Sequence, residues 1–306
     1  MSIGDGMVQA SIPLVGILRS HKAWLDKSEH GRRADLRDIT LNDEDLHGAQ
    51  LSRAILSGAT LLDANLSGAD LSGAQLDRGD FERANFAGAD LTSADLTGAN
   101  FAGAWLSNAC LSEAVIRDTC FRRAKLTRVQ MLEVAISEAS FRECDAVYVN
   151  CHQSRLFDAD WSESDLSHAQ FYHTRIQSCR FRGVMAEGTN FAGSKLSYCD
   201  FTRGELEEVR FLRTELTHCS FRDARLAYAD FRDAKLRGGD FSRAVLDGAR
   251  FGNAQLALAD FRGASLRGAR EITPEQLSQA LTDYQTILPN GSPGPYLRFS
   301  GAERAR

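Results

Sequence analysis

From Leu36 to Leu266 every fifth residue of the chain is bulky and apolar, an unbroken register of 47 positions. It begins Leu36, Leu41, Leu46, Leu51 and passes through Phe81, Phe121, Trp161 and Phe201 to Phe261 and Leu266; only Ala146, Cys151 and Ala186 depart from Leu, Phe, Ile, Met or Trp. Two residues ahead of each bulky position the chain is small, as at Ala34, Ala49, Ala54, Ala59 and Ala264, with only Ile39 and Glu44 outside the set Ala, Gly, Ser, Thr, Cys and Val. A period of five fits neither a helix at 3.6 nor a half-buried strand at 2. A chain that buries one large and one small side chain per five residues, and turns three outward, has to turn a corner in each repeat. Gly recurs in the slot two places after the bulky residue, at Gly48, Gly58, Gly68, Gly73, Gly88, Gly98 and Gly103, and Asp, Asn, Ser and Arg fill it elsewhere, in keeping with turn chemistry.

The size of a coil follows from the aromatic residues. In the first half they fall at Phe81, Phe101, Phe121, Phe141, Trp161 and Phe181, twenty apart, with Phe86 the outlier. After Leu166 the bulky slot alternates almost strictly, as in Phe201, Leu206, Phe211, Leu216, Phe221 and Leu226. Four repeats per coil account for both patterns: like residues stack, and the two Phe columns of the second half lie on opposite faces. Cys179, Cys199 and Cys219, also twenty apart, form an inward ladder in the small slot. With the usual strand spacing of about 4.8 Å, twelve such coils would make a rod of roughly 55–60 Å.

Stretches such as Ala64-Asn65-Leu66-Ser67-Gly68-Ala69-Asp70-Leu71-Ser72-Gly73 resemble the A(D/N)LXX signature of the pentapeptide repeat family, and the resemblance covers residues 34–268. It implies an all-β solenoid, a right-handed quadrilateral parallel β-helix, here of about twelve coils with short α-helical caps at both ends. Departures from the signature gather between Cys144 and Thr189, where Ala146, Cys151 and Ala186 underfill the core and Ser154 and Ser164 replace Ala; a bend or a looser waist is expected there.

All five Pro lie outside the repeats, as expected if the interior N–H groups pair between coils. The expected organisation is an N-terminal segment with a capping helix (1–33), the repeat β-helix (34–270), a C-terminal capping helix (271–288) and a flexible tail (289–306). After Ser11 and Pro13, the residues Leu14, Val15, Ile17, Leu18, Trp24 and Leu25 recur at helical spacing, and a short amphipathic helix is expected to plug the first coil. Thr273-Pro274-Glu275-Gln276 reads as a capping box with Pro at the first helical position, and Leu277, Leu281 and Tyr284 are the expected apolar side of the helix that follows. Both ends resemble terminal caps of bacterial members of the family.

Composition narrows the chemistry. The 306 residues are 43% hydrophobic and 25% charged with a net charge of −5, which excludes a disordered or collagenous chain, and no apolar run is long enough to cross a membrane. Bulk positive charge for binding nucleic acid directly is lacking. The seven Cys are scattered without CxxC pairs, against both a disulfide framework and a zinc site, and no secretory leader is legible, so a cytoplasmic setting is expected. Cys144, Cys179, Cys199 and Cys219 fall in the small inward slot and Cys151 in the bulky one, the positions of packing thiols; Cys110 and Cys120, ten apart, belong on opposite faces. An interior of Leu, Phe and Ala is a core, not a cavity, so no catalytic residue, cofactor or metal is expected. His152, His168 and His173 come nearest to a cluster and take outward slots.

The surface carries more information. Residues 35–100 hold twelve Asp or Glu against four Arg, whereas residues 201–270 hold thirteen Arg or Lys against ten Asp or Glu, so the rod is acidic at one end and mildly basic at the other. Two outward columns are candidate contact sites: Arg155, Arg175 and Lys195, a basic ladder for an acidic partner or phosphate, and Leu132, His152, Tyr172 and Leu212, a partly apolar ridge with Ala192 among them. The expected function is a non-catalytic rigid scaffold that binds an unidentified protein, or a second copy of itself through a terminal cap. The alternative is a protector or inhibitor of a type II topoisomerase such as DNA gyrase, since some members of the resembled family present acidic, DNA-like rods. Against it, the repeats carry no loop insertion and the acidity is confined to one half.

Overall fold

A computed structural model describes residues 14–305; Ser11 and Pro13 lie outside them. The repeats form a parallel β-helix in which each residue of the outward slot before a bulky residue bridges to the one twenty positions on, from Asp35↔Ile55 through to Arg250↔Arg270. Six three-residue strands lengthen this ladder on one face: β1 (Val115–Arg117), β2 (Ala135–Ser137), β3 (Arg155–Phe157), β4 (Arg175–Gln177), β5 (Lys195–Ser197) and β6 (Glu215–Thr217), stacked in chain order. Continuous strand pairing therefore spans five coil-to-coil steps, fewer than the twelve coils expected from the period; elsewhere each coil meets the next through single bridges.

The bridging follows from the five-residue unit. The bulky residue donates its N–H one coil up, as Leu51 does to Asp70 at 2.7 Å, and the outward residue donates one coil down, as Asp70 does to Ala49 at 3.0 Å. Most corners are β-turns closed by the small residue, for example Ala59 N–H to Leu56 carbonyl at 3.0 Å. Their third residue has positive φ whether it is Gly58 (68°) or Arg213 (56°), so the fold imposes a left-handed corner that L side chains adopt at a cost. At the C-terminal ends of β1–β6 that turn bond is absent and the corner opens, which lets three residues per coil pair.

The interior is filled as the register demands. Phe181, Phe201, Phe221, Phe241 and Phe261 stack with centroids 4.6–5.1 Å apart, and Phe171, Phe191, Phe211, Phe231 and Phe251 stack opposite them at 5.1–5.4 Å. Between columns the rings meet edge to face, Phe211 against Phe221 at 5.6 Å and 76°, the arrangement the ring quadrupole favours. The Cys144–Thr189 stretch keeps its ladder unbroken. Trp161 stacks on Phe141 at 3.9 Å, and its indole N–H is buried without a hydrogen-bond partner among the described residues. Burial pushes the Cys144 thiol up to about 12, and Cys151 and Cys179 upward as well, so these sulfurs stay protonated packing groups.

At the start, helix α1 (Leu14–Leu25) rests Leu14, Ile17 and Leu18 on the core. Its buried His21 accepts from Ala34 N–H at Nδ1 (3.0 Å) and donates from Nε2 to the Ser52 carbonyl (3.1 Å). Burial holds the His21 pKa below its ordinary 6.5, only partly opposed by the Ser52 bond. The stability this group confers is present above about pH 6.5 and is lost as pH falls from there through the folded pKa, because the unfolded chain takes a proton that the docked imidazole resists. The denaturant midpoint of the wild type is therefore expected to drop between pH 7 and pH 5 more than that of His21→Gln, measured side by side.

At the other end, Thr273 and Gln276 form the expected capping box, and the Gln276 amide also donates to the carbonyls of Phe251 and Ala254, both at 2.8 Å. Helix α2 (Pro274–Gln279) is shorter than expected. Beyond it the chain rejoins the ladder: Leu281 bridges Asp260 and Ile287 bridges Ser265. Tyr284, expected on the helix's apolar side, is 83% exposed. The segment expected to be a flexible tail folds back through Gly294 N–H to Thr286 carbonyl (2.7 Å) and Asn290 N–H to Ala302 carbonyl (3.1 Å), with Leu288 buried; Arg306 lies outside the described residues.

Candidate interaction surface

The two outward columns singled out in the sequence flank a single edge of the rod. Leu132, His152, Tyr172, Ala192 and Leu212 follow the bulky residue on one face and are half-buried. The chain then turns through corner residues Gln153, His173, Gly193 and Arg213, and emerges on the next face at Arg155, Arg175, Lys195 and Glu215, the first residues of β3–β6.

Buried hydroxyls fix this edge from behind. Just inside the corner, Ser154 donates to the Met131 carbonyl (2.7 Å), Thr174 to Cys151 (3.0 Å), Ser194 to Phe171 (2.5 Å) and Thr214 to Phe191 (2.9 Å). Ser154 and Ser194 also accept from the backbone of the coil before, at Val134 (3.1 Å) and Thr174 (2.8 Å). Fully satisfied buried polar groups of this kind hold the backbone to one geometry. The Ala-to-Ser/Thr departures are thus structural pins, not a loosening.

On the outer surface the His152 ring stacks on Tyr172 with centroids 3.8 Å apart, and its Nδ1 donates to the Tyr172 carbonyl at 3.0 Å. His173 stands 6.1 Å from His152, edge to face. The structure thus unites His152 and His173 but leaves His168 on another corner, stacked with Tyr148 at 5.1 Å. The pairing escaped the sequence because its partners are 21 residues apart, one slot off the twenty-residue column. Beyond Tyr172 the small Ala192 and Gly193 leave a dent of about 250 Å³, walled by Tyr172, His173, Asn190, Leu212 and Arg213. Leu132 begins the same column two coils before Tyr172, away from the dent's lining residues.

Charge across the corner is unbalanced. Arg155 and Arg175 are Cα partners in register, followed by Lys195. Lys195 reaches Glu215 at 3.5 Å, and Lys235 takes the same carboxylate at 2.8 Å. Neither Arg155 nor Arg175 has an ion pair among the described residues. Like charges directly opposed on neighbouring strands are destabilising.

The acidic half looks different. Asp45, Asp70, Asp80, Asp90 and Asp95 each accept the N–H two residues on, at 2.9–3.3 Å, and they are spread over all four faces. They are turn residues first. Among the described residues no group of three or more His, Cys, Asp or Glu is placed to hold a metal ion, and no helix is long and apolar enough to cross a membrane.

Family models agree with the geometry. Pentapeptide repeats (8 copies) match residues 32–68, 45–83, 64–101, 80–112 and 94–131, a pentapeptide repeat region matches 154–231, and pentapeptide repeats (9 copies) match 221–265. The chain belongs to the pentapeptide repeat family. Among solved structures this pentapeptide repeat protein is similar to HetL, involved in heterocyst differentiation regulation in the cyanobacterium Nostoc sp. strain PCC 7120, at 23% identity over 89% of this chain and 97% of that one, with a TM-score of 0.25. It is also similar to full-length QnrB1, a plasmid-mediated fluoroquinolone resistance protein, at 17% identity over 82% and 93% of the two chains (TM-score 0.21). Rfr23 from the cyanobacterium Cyanothece 51142 aligns at 15% identity over 54% and 86% (TM-score 0.14). No curated protein matches the pentapeptide repeat sequence.

Proposed function

We propose that this pentapeptide repeat protein is a non-catalytic, rigid scaffold that docks a protein partner along the edge between the His152–Leu212 column and the Arg155–Lys195 column. The observation that carries this reading is the pair of in-register arginines, Arg155 and Arg175, with no ion pair among the described residues, beside an aromatic-walled dent. Many outward cations of this rod are matched by a carboxylate one coil away, as Arg243 is by Asp223 (2.7 Å) and Arg83 by Asp63 (2.7 Å), whereas Arg155 and Arg175 are not. Exposed pairs of that kind contribute little to stability but keep neighbouring coils neutral.

The dispersal of the turn aspartates over four faces favours docking at this edge over charge mimicry of DNA by the acidic half. The test is affinity capture from the native host with the wild type and the double variant Arg155→Glu/Arg175→Glu, both checked for an unchanged melting transition. A partner retained by the wild type and lost by the variant is the expected result. Equal retention by both would remove the edge from consideration, and protection of gyrase in a supercoiling assay that survives the double substitution would restore the mimic.

A further inference from the structure

Resting on the edge-docking reading, we infer that the segment received by this edge is an acidic, amphipathic α-helix lying along the rod, its carboxylates on Arg155, Arg175 and Lys195 and an apolar side chain in the dent at Ala192 and Gly193. The argument is one of matched periods. Successive coils repeat at about 4.8 Å, so the three cations stand at roughly 0, 4.8 and 9.6 Å along the rod. An α-helix rises 1.5 Å per residue, so side chains at i, i+4 and i+7 on one stripe stand at about 0, 6 and 10.5 Å. Flexible Arg and Lys side chains take up the small differences. An extended strand laid in the same direction returns a side chain to the same side only every 6.6–6.8 Å or so, and falls out of step by the third cation.

The apolar half of the match lies three residues back across the corner. Tyr172 and Leu212 are two coils apart in one column, and Ala192 between them leaves the floor of the dent uncovered. Gly193 makes room for the His173 ring that walls the dent, since a Cβ there would stand 2.8 Å from its Nδ1. Ala192 precedes Lys195 by three residues, so a helix with carboxylates on the cations brings its neighbouring stripe over the dent. The buried Ser154, Thr174 and Ser194 hydroxyls hold both columns at fixed spacing, so the edge is ready before the partner arrives.

The probe is a synthetic peptide, helical by circular dichroism, carrying Glu at i, i+4 and i+7 and Leu one position after each. Its binding to the full chain is read by fluorescence anisotropy. Two variants address the two halves of the contact: Arg155→Glu/Arg175→Glu, and Ala192→Phe, which fills the dent in a slot where Tyr172 and Leu212 already place large side chains. Arg237→Glu, on the same face but away from the edge, controls for bulk charge.

Saturable binding, weakened at least about tenfold by each edge variant and unchanged by Arg237→Glu, is the expected result. Equal weakening by Arg237→Glu would mean attraction by net charge alone and would overturn the inference. So would equal binding of a peptide with Gln for Glu, or of a proline-interrupted peptide of the same composition that cannot form a helix. Absence of binding by the helical peptide also overturns it. If partner capture still depends on Arg155 and Arg175, the docking edge then stands and only its helical occupant falls; if capture is indifferent to them, both fall.

Discussion

Leu216→Asp is expected to yield no cooperatively folded protein. Leu216 is 1% exposed at the centre of β6, in register with Leu196 of β5. Its side chain faces the axis, where no Lys or Arg is buried among the described residues, so a carboxylate there goes unpaired and costs several kcal/mol. A domain of this kind has only about 5–15 kcal/mol in hand. The damage does not stay local, because each coil is the template for the next and a coil that fails to close leaves two open ends. Leu216→Met, which keeps volume and apolarity, is the control and should cost less than about 1.5 kcal/mol. The check is thermal melting followed by circular dichroism. A soluble Leu216→Asp variant with the wild-type transition would place that side chain outside the core.

Phe221→Ala comes second in expected effect. Its ring stacks between Phe201 at 5.0 Å and Phe241 at 4.9 Å, and meets Phe211 and Phe231 edge to face at 5.6 and 6.4 Å. Removing it takes away apolar burial and leaves a cavity in a stack that cannot collapse sideways, since the coil spacing is held by backbone ladders. A loss of about 4 kcal/mol is expected, the middle of the range for Phe truncation. Chemical denaturation should show the midpoint moving to lower denaturant. Because the rod is quasi-one-dimensional, the transition should also broaden as the two flanks lose their coupling. A shift worth less than about 1 kcal/mol would mean that the aromatic columns contribute no more than ordinary core residues.

The columns themselves were legible in the sequence because a period of five with two inward slots leaves no other geometry, and the twenty-residue recurrence of Phe fixes four repeats to a coil. The edge-to-face meeting of the two columns was not, since the sequence places Phe211 and Phe221 on opposite faces without saying how deeply each ring reaches. Ser154 and Ser164 read as departures from an alanine column; their role, shared by Thr174 and Ser194, appears only with the carbonyls 23 residues back that they bond. At the C-terminus the Thr273–Gln276 capping box was readable, but the return to the ladder was not. The bridges Asp260↔Leu281 and Ser265↔Ile287 span 21 and 22 residues, and a search in a strict frame of five stops before them. Both candidate columns were visible as lists of residues twenty apart, but their meeting at one corner needed the coil drawn, and the His152–His173 approach lies between frames.

The square winding also sets what kinds of length change the molecule can survive with its recognition intact. Adding or deleting five residues respects the inward slots, so the core would close again. Yet it would swing everything downstream through a quarter of the circumference. Arg175 would then no longer sit above Arg155 but around the corner from it. Only a change of twenty residues keeps both packing and outward alignment, so drift in rod length that preserves an extended docking site should proceed in whole coils.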